Sequence, residues 1–508
     1  MTSSEIMGSG VVVSRGASYL TIQTLVTSLA QVLCFAVLAR IITPSEVGIL
    51  AVLSLITSLS QAINGGVLSQ ASMKYVGEYT ETNKPLAAGV VYQTLCVSMI
   101  ISLPIAGFIF FESSFLAHEL LHTAFQTQLF RVLAVDVLVY AGALPVANGA
   151  LLGAMRFKES AAIGTVGAVL RQCLIILLIL LQKSFVGLVY AWTLSDFITF
   201  VGYMLYALRV FGLGRNPFSL TKLLAFSWPL TVGNLISFAY TWFDRAILIG
   251  LVPLASLGIY NASLYALGVL TSIAVAFGNV LLPVYSSISA RGVEARRGAI
   301  WHVSRYMSLV MAPLAFGLFA TAKPALTLFV GQAYEGGAVP LMVMSLSFAL
   351  SAFGSGLFPM LTALAKTRAG MLITMVSTIL ALISAFILLP FMGITGAAVA
   401  RALSNLAGLA LTIIVLRQVG AMSVDVEMAW KSMVAGAVMV CVLIAVQLVV
   451  YSTRLLPFYV LLGAIVYVIS LRGLKAVRKH DIELLERYFG SRLGFVARFL
   501  SIVLLASD

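Results

Sequence analysis

The sequence predicts an all-α integral membrane protein of about fourteen transmembrane helices, arranged as two six-helix lobes followed by a C-terminal helix pair. Three observations carry this. Of 508 residues, 61% are apolar and only 10% are charged, where ordinary globular domains carry roughly 25% charged residues. Apolar runs of about twenty residues, the length a bilayer-crossing helix needs, recur from Tyr19 to Gly473. Polar and special residues also recur at a constant long-range spacing.

Taken in order, the first lobe (residues 1–212) holds spans at 17–41, 47–71, 86–111, 127–152, 160–182 and 186–211. The second lobe (213–420) holds spans at 222–250, 256–283, 300–321, 339–364, 370–390 and 393–416. An additional pair (421–473) contributes 431–451 and 455–472, and a basic cytoplasmic tail (474–508) follows. These runs are apolar nearly all round, because lipid-facing and bundle-facing sides both require it. A porin-like barrel is excluded, since its strands are about ten residues long and alternate. Residues 1–13 lack the basic start, short apolar core and cleavage site of a removable signal peptide, so the first span is expected to stay as an anchor.

The repeat sets the two lobes. Gly187, Ala191, Ser195 and Asp196 in the sixth span match Gly396, Ala400, Ser404 and Asn405 in the twelfth, each pair separated by 209 residues. Pro104 matches Pro313 at the same offset, and the basic turn of Arg156 and Lys158 answers that of Lys366 and Arg368. An even number of spans per copy keeps both copies in one orientation, with a cleft between lobes where repeat-built transporters place substrate.

The formal net charge of +13 is strung between spans rather than gathered on one domain, which points away from nucleic acid. Lys74, Lys84, Arg156, Lys158, Arg209, Arg215, Lys222, Arg291, Arg296, Arg297, Arg305, Lys366, Arg368, Arg417 and Lys431 fall among connections on one side, with further cations after the last span. By the positive-inside rule that side is cytoplasmic, and both termini lie there. Cys34, Cys96, Cys173 and Cys441 lie singly within spans, without ligand or redox spacing, and read as small core residues.

Ionisable groups inside spans cost roughly 2.5–3.5 kcal/mol each on insertion scales. The inner set is Arg40, Arg131, Asp136, Arg171, Asp196, Asp244, Arg245 and Arg401, with Lys183, Lys323 and Arg454 nearer the outer ends. Cations outnumber carboxylates in that inner set, so an electropositive cavity for an anion such as phosphate is expected. The plain alternative is that Arg40 and Arg131 snorkel to the interface and Arg245 neutralises Asp244. Asp136, Asp196 and Asp244 are candidate coupling or charge-pairing sites, with H+ or Na+ as the coupling ion.

From Ala39 the chain reads Ala-Arg-Ile-Ile-Thr-Pro-Ser-Glu-Val-Gly, which resembles the first hairpin of polysaccharide flippases. Asp244-Arg245 followed by Leu257-Gly258-Ile259-Tyr260-Asn261-Ala262 resembles the seventh and eighth helices of the same family. The resemblance is to lipid-linked oligosaccharide flippases of the multidrug, oligosaccharidyl-lipid and polysaccharide exporter superfamily, and it implies the MATE-like fold. It further implies alternating-access transfer of a lipid-linked anionic glycan from the cytoplasmic to the outer leaflet of the cell membrane. Arg40, Asp244 and Arg245 match the family motifs. Arg131 and Arg171 join Arg40 and Arg245 as substrate-binding candidates on charge alone. The alternative within the superfamily is a cation-coupled multidrug exporter, for which Asp136 and Asp196 are available.

One reading comes from a different class. His118-Glu119-Leu120-Leu121-His122 matches the His-Glu-x-x-His pattern of zinc metallopeptidases, with Asp136 as a third ligand. A polar helix start explains the same letters more simply. No glycine-rich loop ending in Gly-Lys-Ser or Gly-Lys-Thr occurs, so nothing points to ATP hydrolysis by that route. The expectation is a transporter rather than an enzyme, with no metal or cofactor and with membrane lipids as its surroundings.

Overall fold

The computed structural model describes residues 3–121, 126–182, 185–212, 216–289 and 291–476. Every element among them is helical. The first twelve stretches are α1 (Ser3–Ile41), α2 (Pro44–Ile63), α3 (Gly65–Tyr79), α4 (Lys84–Phe111), α5 (Ser113–Leu121), α6 (Thr127–Val137), α7 (Leu144–Gly153), α8 (Phe157–Gln182), α9 (Val186–Phe211), α10 (Leu220–Leu251), α11 (Leu254–Ser289) and α12 (Val293–Ala320). After them come α13 (Ala322–Val330), α14 (Ala338–Leu350), α15 (Phe358–Ala363), α16 (Thr367–Gln418), α17 (Val426–Val449) and α18 (Leu456–Gly473). Thirteen helical stretches are long and apolar enough to cross a membrane. One of them, α16, is two helices joined through Gly393, whose backbone is non-helical (φ 53°, ψ −131°), so the fourteen expected spans are recovered among the described residues.

The chain forms two compact units divided after Asn261, later than the 212/213 boundary read from sequence. The reason is that α10 packs on α2 and α3. Within the first unit α3 also packs on α7, and α8 on α9 and α1. Within the second, α12 packs on α14 and α17, α14 on α16, and α17 on α18.

The duplication is written in the element lengths. α4 and α12 each run 28 residues, and α5 and α13 each run nine. Residues Pro44–Tyr79 and Leu254–Ser289 are both 36-residue spans. Both α4 and α12 carry an internal proline, Pro104 and Pro313, which removes one backbone donor at the same depth. The basic turns match in detail. Met155 and Ala365 both adopt left-handed backbone (φ 57° and 55°). The next amide in each case reaches back five residues, Arg156 N to Leu151 O and Lys366 N to Leu361 O, both at 2.9 Å. This is the closing turn that satisfies terminal helix carbonyls, here without the usual glycine, twice.

Two interruptions open polar interior in the first unit. A single turn of π-helix, Leu138–Ala143, separates α6 from α7, and the α2–α3 span breaks at Asn64. They meet: Asn64 Nδ2 donates to Ser98 O (2.8 Å) and Ser102 Oγ (2.5 Å), and Ser98 Oγ donates to Gly142 O (2.8 Å). Gly65 sits so close to the Ala141 carbonyl that any Cβ there would overlap it.

In the second unit the helix pair is fastened by one buried ion pair. Arg305 donates to Asp425 Oδ2 (2.7 Å) and to Ala476 O (3.0 Å), and both side chains are at most 3% exposed. Asp425 also caps α17 by accepting from Met428 N (2.9 Å) and is buried. This corrects the placement of Arg305 among cytoplasmic connections: it lies inside α12, facing another helix. A cation near a span end reads the same in sequence whether it faces water or a carboxylate. The cysteines also differ from expectation, for Cys34 is buried while Cys96, Cys173 and Cys441 are exposed, on apolar spans where lipid is the solvent.

Candidate functional site

Five of the in-span charges of the first unit, Asp136, Arg171, Asp196, Asp244 and Arg245, fall into two clusters. In the first, Asp136 near the end of α6, Arg171 on α8 and Asp196 on α9 come together just before the π-turn. Arg171 Nη1 donates to Asp196 Oδ2 and Oδ1 at 3.1 and 3.3 Å. Its guanidinium lies 4.7 Å from the Trp192 ring centre and 5.2 Å from that of Tyr140. Asp136 is completely buried, with the Asp196 carboxyl beside its own and Arg171 as the neighbouring cation. The cluster thus sets two carboxyl groups against one guanidinium, and burying charge without full pairing is costly at low dielectric.

The second cluster occupies the C-terminal third of α10 and the start of α11. Asp244 is fully buried and accepts from Tyr260 Oη (2.5 Å). Arg245 Nε lies 3.7 Å from Asp244 Oδ1, and Arg245 Nη2 donates to Thr241 O (2.9 Å). The Arg245 guanidinium sits 3.6 Å over the Trp242 ring, and Trp242 stacks in turn on Phe238.

The two sequence motifs that resembled a family meet at one crossing. Thr43 and Glu46 form a reciprocal cap on α2, Thr43 N to Glu46 Oε2 at 2.7 Å and Glu46 N to Thr43 Oγ1 at 3.3 Å. One turn on, Gly48 is pressed against the carbonyl of Leu254, and Gly258 is pressed against the carbonyl of Pro44. Pro44 and Leu254 both open 36-residue spans, so the contact is reciprocal between equivalent helices of the repeat. Glycine is needed at both places because a Cβ at either would overlap backbone.

The four candidate arginines therefore have different surroundings. Arg171 and Arg245 are ion-paired. Arg40, in the last turn of α1, is exposed. Arg131 is exposed near the start of α6, with its Nε 3.4 Å from Ser113 Oγ. Among the carboxylates, Asp136 and Asp196 share Arg171, while Asp244 serves Arg245. His118 Nδ1 contacts Glu119 Oε1 (3.2 Å), whereas Asp136, the third ligand a zinc site would want, faces Asp196 and Arg171. His122, Lys183 and the basic tail beyond residue 476 lie outside the described residues.

Sequence reasoning missed the aromatic partners. Trp192 lies against Arg171, Trp242 against Arg245 and Trp301 against Arg305. A signal was present: Trp242 and Trp301 precede their arginines by three and four residues, and Trp192 precedes Asp196 by four, the spacings that share a helix face.

Residues 37–340 match the family model described as "Polysaccharide biosynthesis protein". The chain is 25% identical over 315 residues to the Succinoglycan biosynthesis transport protein ExoT of Rhizobium meliloti (strain 1021), a match covering 61% of each protein. Its fold is similar to that of the Lipid II flippase MurJ in an inward closed conformation, at a TM-score of 0.69 and 14% identity, covering 90% of this chain and 97% of that one. It is also similar to an inward-facing multidrug resistance MATE family transporter of the MOP superfamily, at a TM-score of 0.61 and 18% identity, covering 79% and 98%. These two likenesses establish the MATE-like fold of a multi-pass membrane protein, and the family model covers more than half of the sequence. The chain belongs to the polysaccharide biosynthesis protein family.

Proposed function

We propose that this protein flips a lipid-linked oligosaccharide or polysaccharide precursor from the cytoplasmic to the outer leaflet by alternating access. The observation that carries this reading is the pair of arginine-centred clusters held inside membrane spans of a family concerned with polysaccharide biosynthesis. Charge at that depth costs too much to be kept for packing alone, and guanidinium matches phosphate and acidic sugar. The names of a transport protein for succinoglycan biosynthesis and of a lipid II flippase support the same substrate class. In this reading Arg40, Arg131, Arg171 and Arg245 meet the anionic head group, and Asp136 and Asp196 form the site that couples transport to H+ or Na+. Both termini lie on the cytoplasmic side, as the distribution of Lys and Arg supports.

The test is leaflet-resolved measurement of lipid-linked glycan in cells lacking the protein and in the same cells with it restored. Accumulation on the cytoplasmic face, relieved by restoration, is the expected result. Unchanged glycan lipid together with altered resistance to cationic drugs would favour the second reading, a cation-coupled multidrug exporter. That reading is favoured by the likeness to MATE transporters and by the buried Asp136.

A further inference from the structure

Arg245 is held in an unusual way for a cation on a membrane span. Its backbone N–H donates to Asp244 Oδ1 (2.8 Å), its Nη2 to Thr241 O (2.9 Å), and its guanidinium face rests on the Trp242 ring at 3.6 Å. Other cation–ring contacts among the described residues run from 4.2 to 6.0 Å. Phe238 backs Trp242 with ring centres 6.3 Å apart and planes 23° from parallel. Phe238, Trp242 and Arg245 are spaced four and three residues apart, so they form a column along one face of α10. The column is half-buried, and the Arg245 side chain is 14% exposed.

We propose that Trp242 is a positioning residue: it fixes the plane of the Arg245 guanidinium so that its N–H edge meets a phosphate of the lipid-linked substrate. The inference rests on the reading of Arg245 as a phosphate ligand. A guanidinium carries all its donors in one plane, so a ring against its face sets where those donors point without using any of them. Bidentate recognition of phosphate depends on that plane, and holding it in advance removes part of the ordering cost of binding. An arriving phosphate competes with the Thr241 carbonyl at Nη2 and with Asp244 at Nε. Asp244 Oδ1 is 3.7 Å from Nε, an ion-pair distance beyond hydrogen-bond range, and Asp244 keeps Tyr260 as a separate partner on Oδ2. Displacement therefore leaves no carboxylate stranded.

The experiment is binding of undecaprenyl diphosphate to the purified full-length protein in nanodiscs, with thermal unfolding followed on the same samples. Wild type, W242F, W242L, R245K and the W242L/R245K double variant are compared. The expected result is about tenfold weaker binding for W242L, the scale of a desolvated cation–π contact. W242F should keep most of the affinity because it keeps a ring. R245K should weaken binding at least as much as W242L, and the double variant no further than R245K, because Trp242 acts only through Arg245. A purely structural role for Trp242 would lower the unfolding temperature of W242L and leave the affinity of the folded fraction unchanged. Affinity of W242L equal to that of wild type, or additive losses in the double variant, would overturn the positioning role. Wild type that fails to bind the diphosphate at all would instead overturn the reading of Arg245 on which the role rests.

Discussion

The two halves of the repeat share lengths, prolines and turns, yet they treat polar depth in opposite ways. In the first half Asp136, Arg171 and Asp196 meet inside the spans. At an offset of 209 residues the second half has Ser345, Leu380 and Asn405. Asn405 makes a neutral bond to Ser351 Oγ (3.1 Å), and Ser345 is buried, as Asp136 is. The second half keeps its charged pairs elsewhere: Asp244 lies beside Arg245 on α10, and Arg305 on α12 joins Asp425 to fasten the added helix pair. At the Arg305 offset the first half has Cys96. A duplicated scaffold thus carries a charged centre in one copy and a charged fastening in the other.

The comparison is sharpened most by removing the fastening. Arg305→Ala leaves Asp425 buried and unpaired, and should destabilise the protein by about 3–5 kcal/mol, read as a fall in unfolding temperature in detergent. Second in size, Arg171→Leu gives the first half the residue of the second while leaving two carboxyls together. It should cost about 3 kcal/mol and abolish glycan export. The triple variant D136S/R171L/D196N should recover most of that stability while remaining inactive, because a whole ionic group exchanged for a neutral one is often near-neutral for folding. Export at the wild-type rate by the triple variant would remove the cluster from the transport mechanism.

In the opposite direction, Asn405→Asp places an unpaired charge in the neutral half and should cost about 2.5 kcal/mol, measured by the same unfolding assay. Gly258→Ala pushes a Cβ into the Pro44 carbonyl and should cost about 1–3 kcal/mol, with Gly48→Ala matching it because the contact is reciprocal. The smallest effect is expected at Lys323 and Glu335, an exposed pair at 2.5 Å. The hydrogen bond that the Lys323 ammonium donates to Glu335 holds its pKa above the ordinary range. A group raised in the folded state contributes fully below its unfolded value and loses that contribution as pH rises through the folded one. Lys323→Ala should therefore shift the unfolding temperature slightly at neutral pH, and not at all in strongly alkaline buffer.

Composition alone required lipid as the solvent, since a chain with so little charge has no polar surface to offer water. Length fixed the spans to within a few residues, because bilayer thickness sets how many are needed. The 209-residue offset exposed the duplication, and Arg156, Lys158, Lys366 and Arg368 marked turns that proved alike down to their left-handed residues. Which arginine meets which carboxylate was another matter. Asp136 and Asp196 could each have paired with any of several cations, and Arg305 read as a loop residue. Pairing depends on how each helix is rotated about its axis and which neighbour it faces. Helices apolar on every side carry no periodic stripe to encode that rotation. Only packing decided it, through close approaches such as Gly48 on Leu254 and through the Asn64–Ser98–Gly142 bonds that pin the π-turn beside Asp136.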